Sequence, residues 1–101
     1  MSELIDILKA LSDETRYKII KLLINNKFCV SALSKRLNIS ESAVSQHLKI
    51  LKNAGIVEGE KISYYTHYTV NLDALQKVAN KISELSCETV SSKESDANVN
   101  Q

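Results

Sequence analysis

The chain has 101 residues, 44% of them hydrophobic and 25% charged, enough for one small domain with a single modest core. It holds two glycines, Gly55 and Gly59, and no proline or tryptophan. That excludes the GxGxxG and Walker loops that cradle nucleotide phosphates. Its two cysteines, Cys29 and Cys87, stand 58 residues apart with no CxxC pair, which excludes a zinc finger and a disulfide-dense scaffold.

Residues 1–54 carry nine Lys/Arg against five Asp/Glu, and residues 55–101 carry four against seven, beneath a net charge of +1. A basic front half suits a polyanion, although surface helices acquire such asymmetry by chance. Met1-Ser2-Glu3 begins no basic run followed by an apolar stretch, and Ile19–Ile24 is interrupted by Lys21. A bilayer span needs roughly 20 apolar residues, so the expectation is a soluble cytoplasmic protein without a signal peptide.

Leu4, Ile5, Leu8 and Leu11 recur at helical spacing and predict a helix over residues 3–11. Ser12 or Asp13 caps a second helix to about Asn25, with Tyr17, Ile20, Leu23 and Ile24 expected on its inner stripe. After the polar break Asn25-Asn26-Lys27, Ser31 is expected to cap a short helix through Leu37. Asn38-Ile39 makes a tight turn. Ser40 is the N-cap candidate for a helix holding Val44, Leu48 and Leu51, ended by Gly55. Ile56-Val57 begins a strand, Gly59-Glu60-Lys61 supplies a turn, and Ile62–Val70 is dense in Tyr, Thr, Ile and Val. The prediction there is a β-hairpin. Asn71 or Asp73 opens a last helix with Leu72, Leu75, Ala79, Ile82 and Leu85 on one side. Residues 88–101 are too polar to pack and read as a disordered tail, leaving 1–87 as the folded domain.

This order predicts a mainly α fold with a small β-hairpin (α+β), a winged helix-turn-helix. The second helix of such a motif lies in the major groove. With Val44, Leu48 and Leu51 inward, steps of about 100° turn Ser42, Ser45, Gln46 and Lys49 outward. Gln pairs bidentately with adenine and Ser donates or accepts. Lys35, Arg36, Lys49 and Lys52 flank that surface and suit phosphates. The competing reading makes the same residues the solvated face of an amphipathic helix. His47 is expected to support helix packing or touch phosphate, and His67 to be a surface strand residue.

Leu4, Ile5, Leu8 and Leu11, with Leu72, Leu75, Ala79, Ile82 and Leu85, exceed what one small core covers. Packing both helices against a second copy would bury the excess, which predicts a homodimer with Leu4, Ile5, Leu8, Leu75, Ala79 and Ile82 at its interface. Two recognition helices about one turn of DNA apart then require a palindromic operator on double-stranded DNA.

Leu11-Ser12-Asp13-Glu14-Thr15-Arg16-Tyr17-Lys18-Ile19-Ile20 resembles the opening of the ArsR/SmtB family of repressors. Ser42-Ala43-Val44-Ser45-Gln46-His47-Leu48-Lys49-Ile50-Leu51 is similar to that family's recognition helix, Ala54-Gly55-Ile56-Val57 to its entry into the wing, and Tyr64-Tyr65 or His67-Tyr68 to its second wing strand. The resemblance covers about residues 3–86. It implies a homodimeric repressor that leaves its operator when a metal, metalloid or thiol-reactive signal arrives, and it puts Ser42, Ser45 and Gln46 where the family reads bases. Two features depart from the pattern. The basic wing of the family is reduced here to Lys61 beside Glu58 and Glu60, and Glu14 replaces a proline.

The family's soft-metal cluster, Cys-Val-Cys-x-Leu-Cys, stands here as Cys29-Val30-Ser31-Ala32-Leu33-Ser34. Serine is a poor substitute for a thiolate. The last helix has no histidine for the family's zinc site, and Asp73 and Glu84 alone do not make one. No metal and no cofactor is therefore expected. Cys29 and Cys87 remain, and the resemblance implies that two such thiols can form a persulfide or disulfide switch. The alternative makes Cys29 a small buried hydrophobe and Cys87 an incidental thiol. No convergent set of His, Asp, Ser or Cys suggests an enzyme. The rival to DNA binding is a winged helix that docks protein, favoured by the weak wing and near-zero net charge.

Overall fold

The computed structural model describes residues 2–91. Within them the order is α1 (Ser2–Leu11), α2 (Glu14–Asn25), β1 (Phe28–Cys29), α3 (Val30–Leu37), α4 (Glu41–Asn53), β2 (Val57–Ile62), β3 (Tyr65–Val70) and α5 (Leu72–Ser91). This is a winged helix-turn-helix, with α3 and α4 as the motif and the sheet as the wing.

Local chemistry fixes the boundaries. Asp13, not Ser12, caps α2, its carboxylate accepting the Arg16 N–H at 3.0 Å. Ser12 instead closes α1, donating to the Lys9 carbonyl at 2.7 Å. Ser40 caps α4 by accepting the Ala43 N–H at 3.0 Å. Between α3 and α4 the chain reverses at Asn38, whose φ of 58° is left-handed, a conformation asparagine tolerates. Asn71, not Asp73, opens α5 by accepting the Ala74 N–H at 3.1 Å. Gly55, at φ +83°, ends the α4 region, as expected.

Three local expectations need correction. Ser31 does not cap α3; Cys29 occupies the N-cap position without a side-chain bond, and Ser31 is already helical. The hairpin is one part of a three-stranded antiparallel sheet of order β1-β3-β2, with Phe28 opposite Tyr68 and Cys29 opposite His67. The turn is not at Gly59-Glu60-Lys61, which lies within β2 and pairs with β3, but at Ser63-Tyr64, where Ser63 takes φ 62°. Gly59 is needed for space: a Cβ there would stand 3.0 Å from Thr66 Cγ2 and 3.1 Å from Tyr68 Cε1.

The core gathers Ile7 and Ala10 of α1, Ile19, Ile20 and Leu23 of α2, Leu33 of α3, Val44, Leu48 and Leu51 of α4, then Ile56, Val57 and Val78. In α2 the buried stripe runs through Ile19, while Tyr17 and Ile24 are exposed. In α5 it is Val78 that is buried, with Leu75 packed beside it, and Leu72, Ile82 and Leu85 stand exposed. The last helix continues past Cys87 into the segment expected to be a tail; positions 92–101 of that segment lie outside the described residues. Among the described residues no helix is long and apolar enough to cross a membrane.

Candidate nucleic-acid interface

The face of α4 opposite the core is polar. Val44 and Leu51 are 0% exposed and Leu48 2%. The helical period then drives Ser42, Ser45, Gln46 and Lys49 outward, and all four are exposed. Lys52 is exposed one turn further along the helix. Lys35 and Arg36 are exposed on the last turn of α3, where cations favour the helix dipole. The Arg36 guanidinium lies over the Phe28 ring at 4.6 Å, which steadies its stem without using up its N–H donors. These side chains thus come from two consecutive helices held by the Asn38 turn.

The wing presents a different chemistry. Lys61 is exposed near the tip of β2, opposite Thr66. Alternation puts it on the other sheet face from Glu58 and Glu60, and Lys27 pairs with Glu60 at 3.2 Å. Tyr64 is 90% exposed and Tyr65 59%, whereas Tyr68 packs against the core.

One row of β-partners crosses the whole sheet. Cys29 faces His67, and His67 faces Glu60, so the three side chains share a face. His67 is not the surface residue expected from sequence: it is half-buried, and its Nδ1 is buried without a hydrogen-bond partner. Cys29 and Cys87 are both free thiols, the first half-buried and the second exposed on α5. Among the described residues no three His, Cys, Asp or Glu side chains group as ligands for a metal ion.

His47, on α4, is tied to the α1–α2 corner. Arg16 sends Nη1 to within 3.2 Å of His47 Nδ1 and donates Nε to the Ala10 carbonyl at 2.6 Å. Asp13 Oδ2 lies 3.9 Å from the same imidazole nitrogen. The Arg16 N–H that Asp13 accepts holds its carboxyl below the usual value; partial burial opposes this, and the Arg16 charge adds to the lowering. Sequence reasoning placed Asp13 only as a cap and gave Arg16 no role. Asp13 and Arg16 are more than thirty positions from His47, and no local period reports such a contact.

Comparison with known proteins agrees with this geometry. Residues 13–59 match the family model described as bacterial regulatory protein, arsR family. The chain is 34% identical over 81% of its length, and 76% of the relative's, to the transcriptional activator HlyU of Vibrio cholerae. It is 33% identical over 74% of its length, and 83% of the relative's, to the transcriptional repressor SdpR of Bacillus subtilis. An ArsR-like transcriptional regulator from Rhodococcus sp. RHA1 superposes with a TM-score of 0.80 at 33% identity, covering 86% of this chain and 82% of that one. The chain belongs to the arsR family of bacterial regulatory proteins, and is a transcriptional regulator rather than an enzyme.

Proposed function

We propose that the chain acts in the cytoplasm as a homodimeric repressor that lays α4 of each subunit into the major groove of a palindromic operator. The observation that carries this reading is the division of α4: a fully buried apolar stripe on one side, and on the other Ser42, Ser45, Gln46 and Lys49 flanked by Lys35, Arg36 and Lys52. Ser42, Ser45 and Gln46 suit base edges; the cations suit phosphates. Lys61 adds one charge from the wing. The relatives include both an activator and a repressor by name. Repression is the simpler outcome here, since occupying a promoter needs no surface beyond those that bind DNA and the second copy. Salt-dependent binding to duplex DNA from the chain's own upstream region tests the reading. A protein-docking winged helix would show no steep salt law.

The dimer reading rests on apolar surface that the core leaves uncovered. Ile5 is 46% and Leu8 37% exposed on α1, and Ile82 is 45% and Leu85 58% exposed on α5, a helix that packs against α1. Ala79 is exposed between them, while Leu4 and Leu75 are half-buried and belong to both core and edge. Burying these faces against a copy removes them from water. The double substitution Leu8→Glu with Ile82→Glu is expected to give a folded monomer by sedimentation velocity at micromolar concentration. A dimer unchanged by both charges contradicts this interface.

A specific observation also favours a thiol-reactive signal as the means of release. Cys29 is a free, half-buried thiol that stands opposite His67 in the sheet. Cys29 joins β1 to the start of α3, so adding a group there strains both the sheet and the reading motif. Cys87 is the accessible second thiol. Treatment with an oxidant or a persulfide donor is expected to release DNA from the native chain and not from Cys29→Ser. Equal release from both contradicts the role of Cys29.

A further inference from the structure

We propose that Arg16 locks His47 in its Nε2–H tautomer, and that His47 thereby acts as a neutral donor from the recognition helix to a DNA phosphate. The proposal rests on the proposed entry of α4 into the groove.

The tautomer follows from the donors present. A guanidinium has only N–H groups to offer. With Arg16 Nη1 at 3.2 Å, His47 Nδ1 serves as the acceptor, and the single proton of the neutral ring is on Nε2. Asp13 would favour a proton on Nδ1, but at 3.9 Å it is beyond hydrogen-bond reach, and its Oδ2 already accepts the Arg16 N–H at 3.0 Å. Arg16 is itself fixed at a second point, through Nε to the Ala10 carbonyl at 2.6 Å. The acceptor side of His47 is therefore held by a group anchored at the end of α1.

The other ring nitrogen is free to act. Among the described residues His47 Nε2 makes no hydrogen bond, and His67 Nδ1 is the one buried side-chain nitrogen or oxygen without a partner. Nε2 therefore reaches solvent, in a side chain that is 24% exposed. On α4, His47 comes one residue after Gln46 and about 60° round the helix from Val44. That is the flank of the helix, between its buried stripe and its base-reading face. The flank of a helix in the major groove meets the groove wall, where the phosphates are. A neutral N–H there forms a charge-assisted bond to phosphate without adding charge.

Two measurements test this separately. The first is the histidine side-chain nitrogen–proton correlation spectrum of the free protein, with His47→Gln used to assign the ring against His67. The expected pattern is a proton on Nε2 and a bare Nδ1 at His47, giving way to mixed tautomers in Arg16→Lys, whose single ammonium cannot hold both acceptors. A proton on Nδ1 in the native chain overturns the lock.

The second is operator affinity across a salt series for His47→Asn and His47→Gln, with thermal melts confirming that each is folded. Glutamine carries an N–H near the Nε2 position, and asparagine does not reach it. His47→Asn is expected to bind roughly tenfold more weakly per half-site, with an unchanged salt slope, while His47→Gln stays near the native chain. A slope lower by about 0.9 per half-site would mean that His47 is charged, contrary to the lock. Native affinity in His47→Asn overturns the phosphate bond alone. A native chain that binds no DNA overturns the reading of α4 and this bond with it.

Discussion

Leu51→Ala is expected to lower the stability of the fold by about 2–5 kcal/mol, the range for opening a cavity at a buried leucine. Leu51 is 0% exposed and packs beneath α4 with Val44, Leu48 and Leu33 in one core cluster. A small domain has about 5–15 kcal/mol in total, so this one change removes a large share. Denaturant unfolding at fixed protein concentration should show a lower midpoint with an unchanged slope. Its neighbour Ile50, at 43% exposed, gives the contrast: Ile50→Ala should stay within about 0.5 kcal/mol of the native chain. Equal effects at both positions would mean that α4 is not seated as described.

The second large effect concerns binding. Lys35, Lys49 and Lys52 stand exposed around the polar face of α4. Replacing all three with alanine in a dimer removes six positive charges. At about 0.9 per phosphate, the slope of log K against log salt should fall by about 5, and affinity at low salt by on the order of a thousandfold. None of the three is buried, so the fold should keep its stability. Gln46→Ala should behave differently: it should leave the slope intact and reduce the preference for the operator over random DNA by about 1–3 kcal/mol per half-site. Weaker binding with an unchanged slope in the triple variant would show that these lysines do not meet phosphates.

The polar face of α4 was legible because it obeys a local rule. Once Val44, Leu48 and Leu51 are recognised as one stripe, the helical period alone turns Ser42, Ser45, Gln46 and Lys49 outward, and the structure exposes them all. Ser40 was legible as a cap for the same reason, since it acts on a group three residues away; Asn71 was one of two candidates, and Ser31 is already inside its helix. In α2 the period was visible but its phase only in part. Ile20 and Leu23 are buried as expected, but Tyr17 and Ile24 are exposed and Ile19 is buried in their place, a choice made by packing and not by the period.

What escaped depends on contacts between distant segments. β1 is two residues long, too short to show alternation, and exists because β3 offers an edge at Tyr68 and His67. Gly59 looked like a turn residue, but it is the place where the Tyr68 ring crosses the neighbouring strand. His67 reads as a surface residue until β1 covers it. The tie from Arg16 to His47 joins two motifs that the sequence shows only separately.

The central claim is that the polar face of α4 reads DNA as a dimer. Its most direct test is fluorescence anisotropy of the reduced chain with duplex DNA from its own upstream region, at several salt concentrations, against a scrambled duplex. The account predicts tight binding that weakens steeply with salt, saturates at two chains per site and prefers the native sequence. Binding no better than to the scrambled duplex at low salt, or an affinity indifferent to salt, would contradict it.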